Sequence, residues 1–138
     1  MKVTRKWRIT LGGLMVLIAV IAVGLAVLRG RGTRAIDVWW GSGPAVKAGD
    51  TVDVHYVGRF LNGREFDSSW GRGQPFSFQV GRGRVIKGWD QGIIGMRPGG
   101  VRWLIVPPEE AYGSRGAAGI IPSDSTLVFT IRLVRIRP

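Results

Sequence analysis

The sequence predicts an α+β domain, an antiparallel sheet packed against one short helix, preceded by an N-terminal transmembrane helix. Several stretches alternate apolar and polar residues with the period of two that is typical of β-strands. Only the stretch from Lys87 to Gly95 has helical spacing. The 138 residues include 22 glycines and 7 prolines, which indicate many turns and favour a sheet over a helical bundle.

The positive charge of the chain lies mainly in its N-terminal tail. Residues 1–34 hold seven of the 20 basic residues and none of the nine acidic ones, so the rest of the chain contributes only +4 to the net charge of +11. Charge placed in this way is weak evidence for nucleic-acid binding and fits a membrane flank better. We therefore expect residues 1–8 to form a basic flank and expect no nucleic-acid partner.

Residues 9–28 read ITLGGLMVLIAVIAVGLAVL and carry no charge. As a helix, such a segment spans about 30 Å, the thickness of the hydrocarbon layer. The long apolar run favours an uncleaved signal anchor in the cell membrane, and a signal peptide cleaved near Gly24–Ala26 is the alternative. Four basic residues precede the segment and three follow it, so the C-terminal domain is predicted to be extracytoplasmic, or secreted or periplasmic after cleavage.

A short linker is predicted over residues 29–37, RGRGTRAID, and a single domain over residues 38–138. Nine residues extend at most about 30 Å. The domain should therefore lie close to the membrane surface. The sequence gives no sign of an oligomer, and we expect a monomer.

Four stretches of the domain are predicted strands, and Asn62-Gly63 predicts a hairpin turn. In the first strand, Val52, Val54 and Tyr56 share one face. The third strand is apolar on nearly every residue and should lie inside the sheet. The strands are TVDVHYV (51–57), FSFQV (76–80), VRWLIV (101–106) and TLVFTIRLVRI (126–136).

The helix and the long loop complete the predicted elements. Ile86, Trp89 and Ile93 form one apolar stripe on the helix, although its glycines lower the helical propensity. Packing must therefore hold this helix in place. Pro107-Pro108 and the following YGSRGAAG mark a long surface loop.

The residues needed for nucleophilic, acid–base or metal chemistry are scarce. The chain has no cysteine and one histidine, His55, which we expect to be a hydrogen-bonded strand residue. Glu109 and Glu110 are adjacent in a loop and should be solvated. GRGRVIKG, residues 81–88, lacks the ending of a phosphate-binding loop, so its basic side chains should be solvated too. The sequence implies no metal and no cofactor.

An ordered set of motifs covers residues 45–136. HYVG, FDSS, VIKGWDQG, AYG and IPSDSTLVF follow one another in the order and at the spacing of one family. On these motifs the domain resembles the FKBP-type peptidyl-prolyl cis-trans isomerases. The resemblance implies a half-open antiparallel sheet wrapped around one short helix, with a pocket between them. It also implies an enzyme whose partners are proline-containing polypeptides and immunosuppressant-type macrolides.

The resemblance also implies the roles of individual residues. Trp89 would be the pocket floor, the Ile86 N–H would donate to a substrate carbonyl, and Asp67 would face the twisting amide. The implied catalytic residues are Asp67, Tyr112, Ile86 and Trp89. The implied substrate-binding residues are Tyr56, Phe66, Arg72, Phe76, Val85, Ile120, Ile121 and Phe129.

One carboxylate among many rings suits the rotation of an X-Pro bond. The barrier is about 18–20 kcal/mol, since the planar amide loses its resonance, and no bond breaks. A twisted amide has less charge separation than a planar one, so an apolar pocket binds it better. The loop SRGAAGIIP departs from the family, which often has His-Pro where Ala117 and Ala118 stand, and this predicts a changed peptide preference. A non-catalytic module that holds proline-containing segments at the membrane is the alternative function.

Overall fold

The computed structural model of the chain describes residues 17, 18, 21 and 32–137. Residues 1–30 and 31–138 form two separate compact units. Leu17, Ile18 and Ile21 are helical, and the other residues of the predicted flank and of the predicted transmembrane helix lie outside the described part. No helix within that part is long and apolar enough to cross a membrane. The anchor therefore stays a prediction.

The second unit is built on an antiparallel sheet of six strands within residues 32–137. The strands follow the order β1-β5-β6-β2-β3, and β4 pairs with the first half of β2. The hairpin predicted at Asn62-Gly63 joins β2 to β3. The strands are β1 (Arg34–Trp39), β2 (Thr51–Phe60), β3 (Glu65–Ser68), β4 (Phe76–Gln79), β5 (Val101–Val106) and β6 (Leu127–Arg137).

The alternation of β2 and β6 places one face of the sheet against the core. The two strands pair along their whole length, from Thr51 opposite Arg137 to Phe60 opposite Leu127. Successive side chains of a strand point to opposite faces, so the apolar set of each strand is buried together. Strand β5 lies between β1 and β6, which confirms the interior position that its apolar sequence predicts.

The short helix α1 (Lys87–Gly92) packs its glycines against β5. It is shorter than the predicted stretch to Gly95, because Ile93 caps it and the chain turns at Gly95 with a φ of 87°. A Cβ on Gly88 would lie 2.5 Å from Val106, and one on Gly92 would lie 2.6 Å from Leu104. The glycines that weaken the intrinsic propensity of this helix therefore allow its close approach to the sheet.

Strand β1 corrects the predicted linker over residues 29–37. It begins at Arg34 and pairs with β5 at the edge of the described sheet, with a bulge between Asp37 and Trp39. Arg102 of β5 holds it there, since its Nε donates to Asp37 Oδ1 over 2.6 Å. The alternating pattern of this strand is broken by the bulge, and its partner lies far along the chain, so local periodicity gave no signal.

Glu110 differs from the solvated residue that the sequence predicts. Its Oε2 accepts a hydrogen bond of 2.8 Å from the backbone N–H of Thr33 and a second from the Thr33 hydroxyl. Glu109 is exposed, as expected. The carboxylate of Glu110 thus ties the residue before β1 to the loop after β5, a contact across 77 residues of sequence.

Candidate active site

Trp89 of α1 lies at the centre of a cluster of aromatic rings on the inner face of the sheet. It is buried, and its ring centroid lies 4.9 Å from that of Tyr56, 5.2 Å from that of Phe129 and 6.2 Å from that of Phe76. All three pairs meet nearly edge to face, the arrangement that ring quadrupoles favour. The structure thus brings together four aromatic residues that lie far apart in the sequence.

Phe66 extends this cluster beside a glycine that the sequence analysis missed. The Phe66 ring lies 5.7 Å from that of Phe129. A Cβ on Gly58 would lie 2.6 Å from Phe66 Cζ and 3.0 Å from Phe129 Cε1. Gly58 therefore leaves the space that both rings occupy. Its signal was present, because an isolated glycine within a strand pattern often marks a close approach.

Asp67 carries the polar side of the site. Tyr56 OH donates to Asp67 Oδ2 over 2.5 Å, and Arg72 Nη1 donates to Asp67 Oδ1 over 2.7 Å. The Ser68 N–H donates to the same Oδ1 over 2.8 Å, and Arg72 Nη2 donates to the Tyr56 hydroxyl over 2.8 Å. The expected contact between Asp67 and Arg72 is present, and both carboxylate oxygens accept hydrogen bonds.

These contacts keep Asp67 ionised. Burial by itself would raise the pKa of the carboxyl, but hydrogen bonds from Tyr56 and Arg72, the charge of Arg72 and the Ser68 N–H together lower that pKa below its usual value. Burial and the hydrogen bond to Asp67 raise the pKa of the Tyr56 hydroxyl. The pair is therefore a carboxylate and a protonated phenol across the neutral pH range.

Ser69 supports Tyr56 from behind and was also missed by the sequence analysis. The Tyr56 N–H donates to Ser69 Oγ over 2.8 Å, and His55 Nδ1 lies 2.9 Å from the same oxygen. The His55 ring stacks on Trp70, with centroids 3.7 Å apart. His55 is thus a hydrogen-bonded strand residue, as the sequence predicts.

The loop before α1 supplies the second wall of the site. Val85 and Ile86 are half-buried and pack against the core cluster. Asp90, another residue that the sequence analysis missed, accepts hydrogen bonds of 2.9 Å from the N–H groups of Gly81 and Gly83 and so fixes the loop. No described residue accepts a hydrogen bond from the Ile86 N–H. The basic side chains of the loop, Arg82, Arg84 and Lys87, are exposed as predicted.

The predicted site residues in the loop between β5 and β6 differ from one another in their exposure to solvent. Tyr112 is exposed over 42% of its surface, and partial burial together with the charge of Asp67 raises the pKa of its hydroxyl. Ile121 is buried in the core cluster, whereas Ile120 is exposed over 59% of its surface and belongs to no described contact of the cluster. Ala117 and Ile121 form an isolated β-bridge.

The described residues contain no group of three His, Asp or Glu that could hold a metal ion.

The inner face of the sheet packs against one helix, and a buried aromatic ring and a hydrogen-bonded carboxylate lie beside each other there. Residues 43–134 match the family described as FKBP-type peptidyl-prolyl cis-trans isomerase. The chain is 55% identical over 103 residues to an FK506-binding protein of Streptomyces anulatus, which covers 72% of this chain and 82% of that protein. It is 47% identical over 109 residues to FK506-binding protein 1A of Neurospora crassa, covering 79% of this chain and 82% of that protein.

A solved structure agrees with these relatives. The crystal structure of AtFKBP13 matches with a TM-score of 0.72 and 43% identity, over 76% of this chain and 93% of that one. The chain therefore belongs to the FKBP-type family and is a peptidyl-prolyl cis-trans isomerase. The match confirms the sheet wrapped around one short helix that the sequence motifs imply.

Proposed function

We propose that this isomerase rotates X-Pro bonds in exported or membrane-proximal polypeptides by binding the twisted amide in its aromatic pocket, with no covalent step. The observation that carries the proposal is the hydrogen-bonded group of Tyr56, Asp67 and Arg72 beside the buried ring of Trp89. It combines an apolar floor, which favours the less polar twisted amide, with a fixed negative charge beside it.

The rings favour the transition state over the planar amide. The proline ring would lie on Trp89, with Tyr56, Phe76 and Phe129 as walls and Phe66, Val85 and Ile121 around them. The planar amide loses more solvation in such a pocket than the twisted one, since twisting reduces its charge separation. Only an interaction that is stronger in the transition state accelerates the rotation.

The polar groups at the rim would hold the ends of the rotating bond. The Ile86 N–H has no acceptor among the described residues and is free to donate to a substrate carbonyl. The Tyr112 hydroxyl, which has no described hydrogen bond, would donate to a second carbonyl. Asp67, held by Arg72, would place its negative charge beside the amide, and Ile120 would cover the peptide from the exposed loop. Positioned groups of this kind stabilise charge as it changes in the transition state.

The proposal also covers a macrolide ligand and a location at the membrane. Relatives are named FK506-binding proteins, which supports binding of a macrolide of that type in the same pocket. The uncharged stretch 9–28 between basic residues supports a membrane anchor. An isomerase held there would act on chains as they emerge, and uncatalysed isomerisation takes tens of seconds or longer.

Cis-to-trans rates on short X-Pro peptides test the pocket, with residues 31–138 as the enzyme because they form a compact unit of their own. We expect Asp67→Val and Trp89→Leu to lower kcat/KM by about tenfold or more. The matched controls are Asp124→Asn and Trp40→Ala, both exposed and outside the pocket, which should keep the rate. Unchanged rates in folded Asp67→Val and Trp89→Leu would contradict the proposed site. A macrolide that fails to inhibit would contradict the proposed ligand alone.

A further inference from the structure

A row of side chains crosses the outer face of the sheet, opposite the pocket. Trp39 of β1 pairs with Val101 of β5, Val101 with Arg132 of β6, and Arg132 with His55 of β2. Paired residues of neighbouring strands share a face. The residues next to Arg132 and His55 along their strands are core residues, so the row faces away from the core.

Tryptophan stands at both ends of this row. Trp39 is exposed over 68% of its surface. At the other end Trp70 stacks on His55 and is exposed over 53% of its surface. Three strand spacings separate Trp39 from His55, a distance of about 14 Å. Most tryptophans of soluble domains are largely buried, so two exposed indoles at the ends of one row favour a partner for this face.

The charge between the tryptophans is positive. Arg132 is exposed and has no carboxylate partner among the described residues. Asp53, two residues before His55 on β2, is already paired with Arg135 and Arg137. None of the described residues of the row itself, Trp39, Val101, Arg132 and His55, carries a carboxylate that would oppose an anionic partner.

We propose that this outer face, defined by Trp39, Trp70 and Arg132, is a membrane-contact surface that binds anionic phospholipid headgroups. Indole rings have an apolar body and a polar N–H, and for this reason they concentrate at the interface between bilayer and water. A basic side chain between them would meet a lipid phosphate. The proposal deepens the membrane-proximal function proposed above and rests on it for its cellular setting.

The connection to the N-terminal segment supports a lipid surface over other partners. Residues 29–33 separate the apolar stretch 9–28 from the first residue of β1, and five residues extend at most about 18 Å. Strand β1, which carries Trp39, would therefore lie within reach of the bilayer. With the outer face on the membrane, the pocket on the inner face would open toward the aqueous side, where an emerging polypeptide is found.

Vesicle flotation with residues 31–138 tests the surface without the predicted anchor. We expect binding to vesicles of phosphatidylcholine with phosphatidylglycerol, and little binding to phosphatidylcholine alone. Arg132→Gln should weaken binding about fivefold, and the pair Trp39→Ala with Trp70→Ala by about tenfold or more. The matched controls are Arg84→Gln and Leu61→Ala, an exposed cation and an exposed apolar residue away from the row.

Each other outcome overturns the proposal. The proposal is wrong if the domain binds neither kind of vesicle. It is also wrong if Arg84→Gln abolishes binding while Arg132→Gln has no effect. Self-association that the tryptophan variants abolish, without vesicle binding, would assign the face to a second copy of the chain. The peptide isomerisation rate of each variant should stay unchanged, since none of these residues lines the pocket. A domain that isomerises peptides and ignores vesicles would therefore remove this inference and leave the proposed catalysis intact.

Discussion

The donors around Asp67 determine which chemistry its carboxylate can perform. Oδ1 accepts from Arg72 and from the Ser68 N–H, and Oδ2 accepts from Tyr56. A general base needs a free lone pair and a pKa near the working pH, whereas the pKa of Asp67 is lowered. Asp67 is therefore a fixed negative charge that also orients Tyr56 and Arg72.

The lowered pKa of Asp67 should be visible in the pH dependence of the unfolding free energy. Because the pKa of Asp67 is lower in the folded protein than in the unfolded chain, ionised Asp67 stabilises the fold. That stabilisation is complete above the usual Asp pKa of about 3.9 and is lost as the pH falls through the lower, folded value. We expect the difference in unfolding free energy between wild type and Asp67→Asn to be constant from pH 8 to about 5 and to shrink below about pH 4.

Chemical denaturation of both proteins across this pH range measures the difference. Isomerase activity of the wild type should likewise stay level down to about pH 5, since Asp67 does not titrate there. Asp124→Asn, which changes an exposed carboxylate, is the control. A difference between wild type and Asp67→Asn that grows as the pH falls from 8 to 5 would contradict the lowered pKa.

Gly58 gives a steric prediction at the same scale. An alanine there would place its Cβ 2.6 Å from Phe66 and 3.0 Å from Phe129, so both rings must move. We expect Gly58→Ala to lower the unfolding free energy by about 1–3 kcal/mol and to reduce kcat/KM, because both rings belong to the proposed pocket. Gly71→Ala is the matched control, since a Cβ there meets nothing within 4 Å. Equal stability of the two variants would refute this account of the strand glycine.

At the scale of elements, Arg102 joins three parts of the fold. Its Nε donates to Asp37 of β1 over 2.6 Å, and its Nη1 donates to the carbonyl oxygens of Gly92 and Ile94 over 2.7 and 2.8 Å. The end of α1 and the edge strand therefore depend on one guanidinium of β5. This explains why a nearly apolar strand carries a buried arginine.

Removal of this guanidinium should be costly. Arg102→Met leaves Asp37 without its partner and two carbonyl groups without donors, so we expect a loss of about 3 kcal/mol in unfolding free energy. Arg132→Met, on the exposed face of the neighbouring strand, should change it by less than about 0.5 kcal/mol. Urea denaturation measures the unfolding free energy of both variants. A similar small loss in the two variants would show that Arg102 stabilises the fold no more than a surface cation does.

The loop after β5 should set the peptide preference. Tyr112 precedes the 3-10 helix Gly113–Arg115, and Arg115 at its end is exposed and basic. Exposed charges contribute little, so we expect peptides with Glu before proline to exceed those with Lys by about two- to threefold in kcat/KM. Arg115→Gln should remove the difference, which low salt should enlarge. Equal rates for both peptides in the wild type would contradict a role of Arg115.

Local patterns predicted those strands in which the alternation of apolar and polar residues marks the buried face. The alternation around Val54 and Tyr56 predicted β2, and the motif order predicted the family. The features that local periodicity missed depend on partners distant in sequence. The salt bridge that holds β1 crosses 65 residues, and the hydrogen bond from Thr33 to Glu110 crosses 77.

Ser69, Gly58 and Asp90 were missed for a related reason. Ser69 acts through the backbone of Tyr56, Gly58 through the absence of a side chain, and Asp90 through two N–H groups of the preceding loop. None of these residues would contact a substrate bond. Their contribution depends on geometry across the sheet, which a sequence pattern carries only weakly.

For the whole molecule, the sheet separates two surfaces with different chemistry. Its inner face and α1 enclose the aromatic cluster, while its outer face exposes the indoles of Trp39 and Trp70 around Arg132. Catalysis and the proposed membrane contact would therefore be compatible, because they use different side chains. The same strands carry the aromatic cluster on their inner face and the row on their outer face. If the outer face contacts a membrane, the inner face points away from it.

The predicted anchor and the outer face should hold the protein to membranes with different strength. An apolar helix of 20 residues inserts almost irreversibly, whereas surface attraction is screened by salt. We expect the full chain to remain in the membrane pellet of expressing cells after a wash in high salt. Residues 31–138 should pellet with anionic vesicles at low salt and leave them in the same wash. Full chain that the salt wash releases would show that residues 9–28 are no anchor, and cleavage near Gly24–Ala26 would appear as a shortened soluble protein by mass spectrometry.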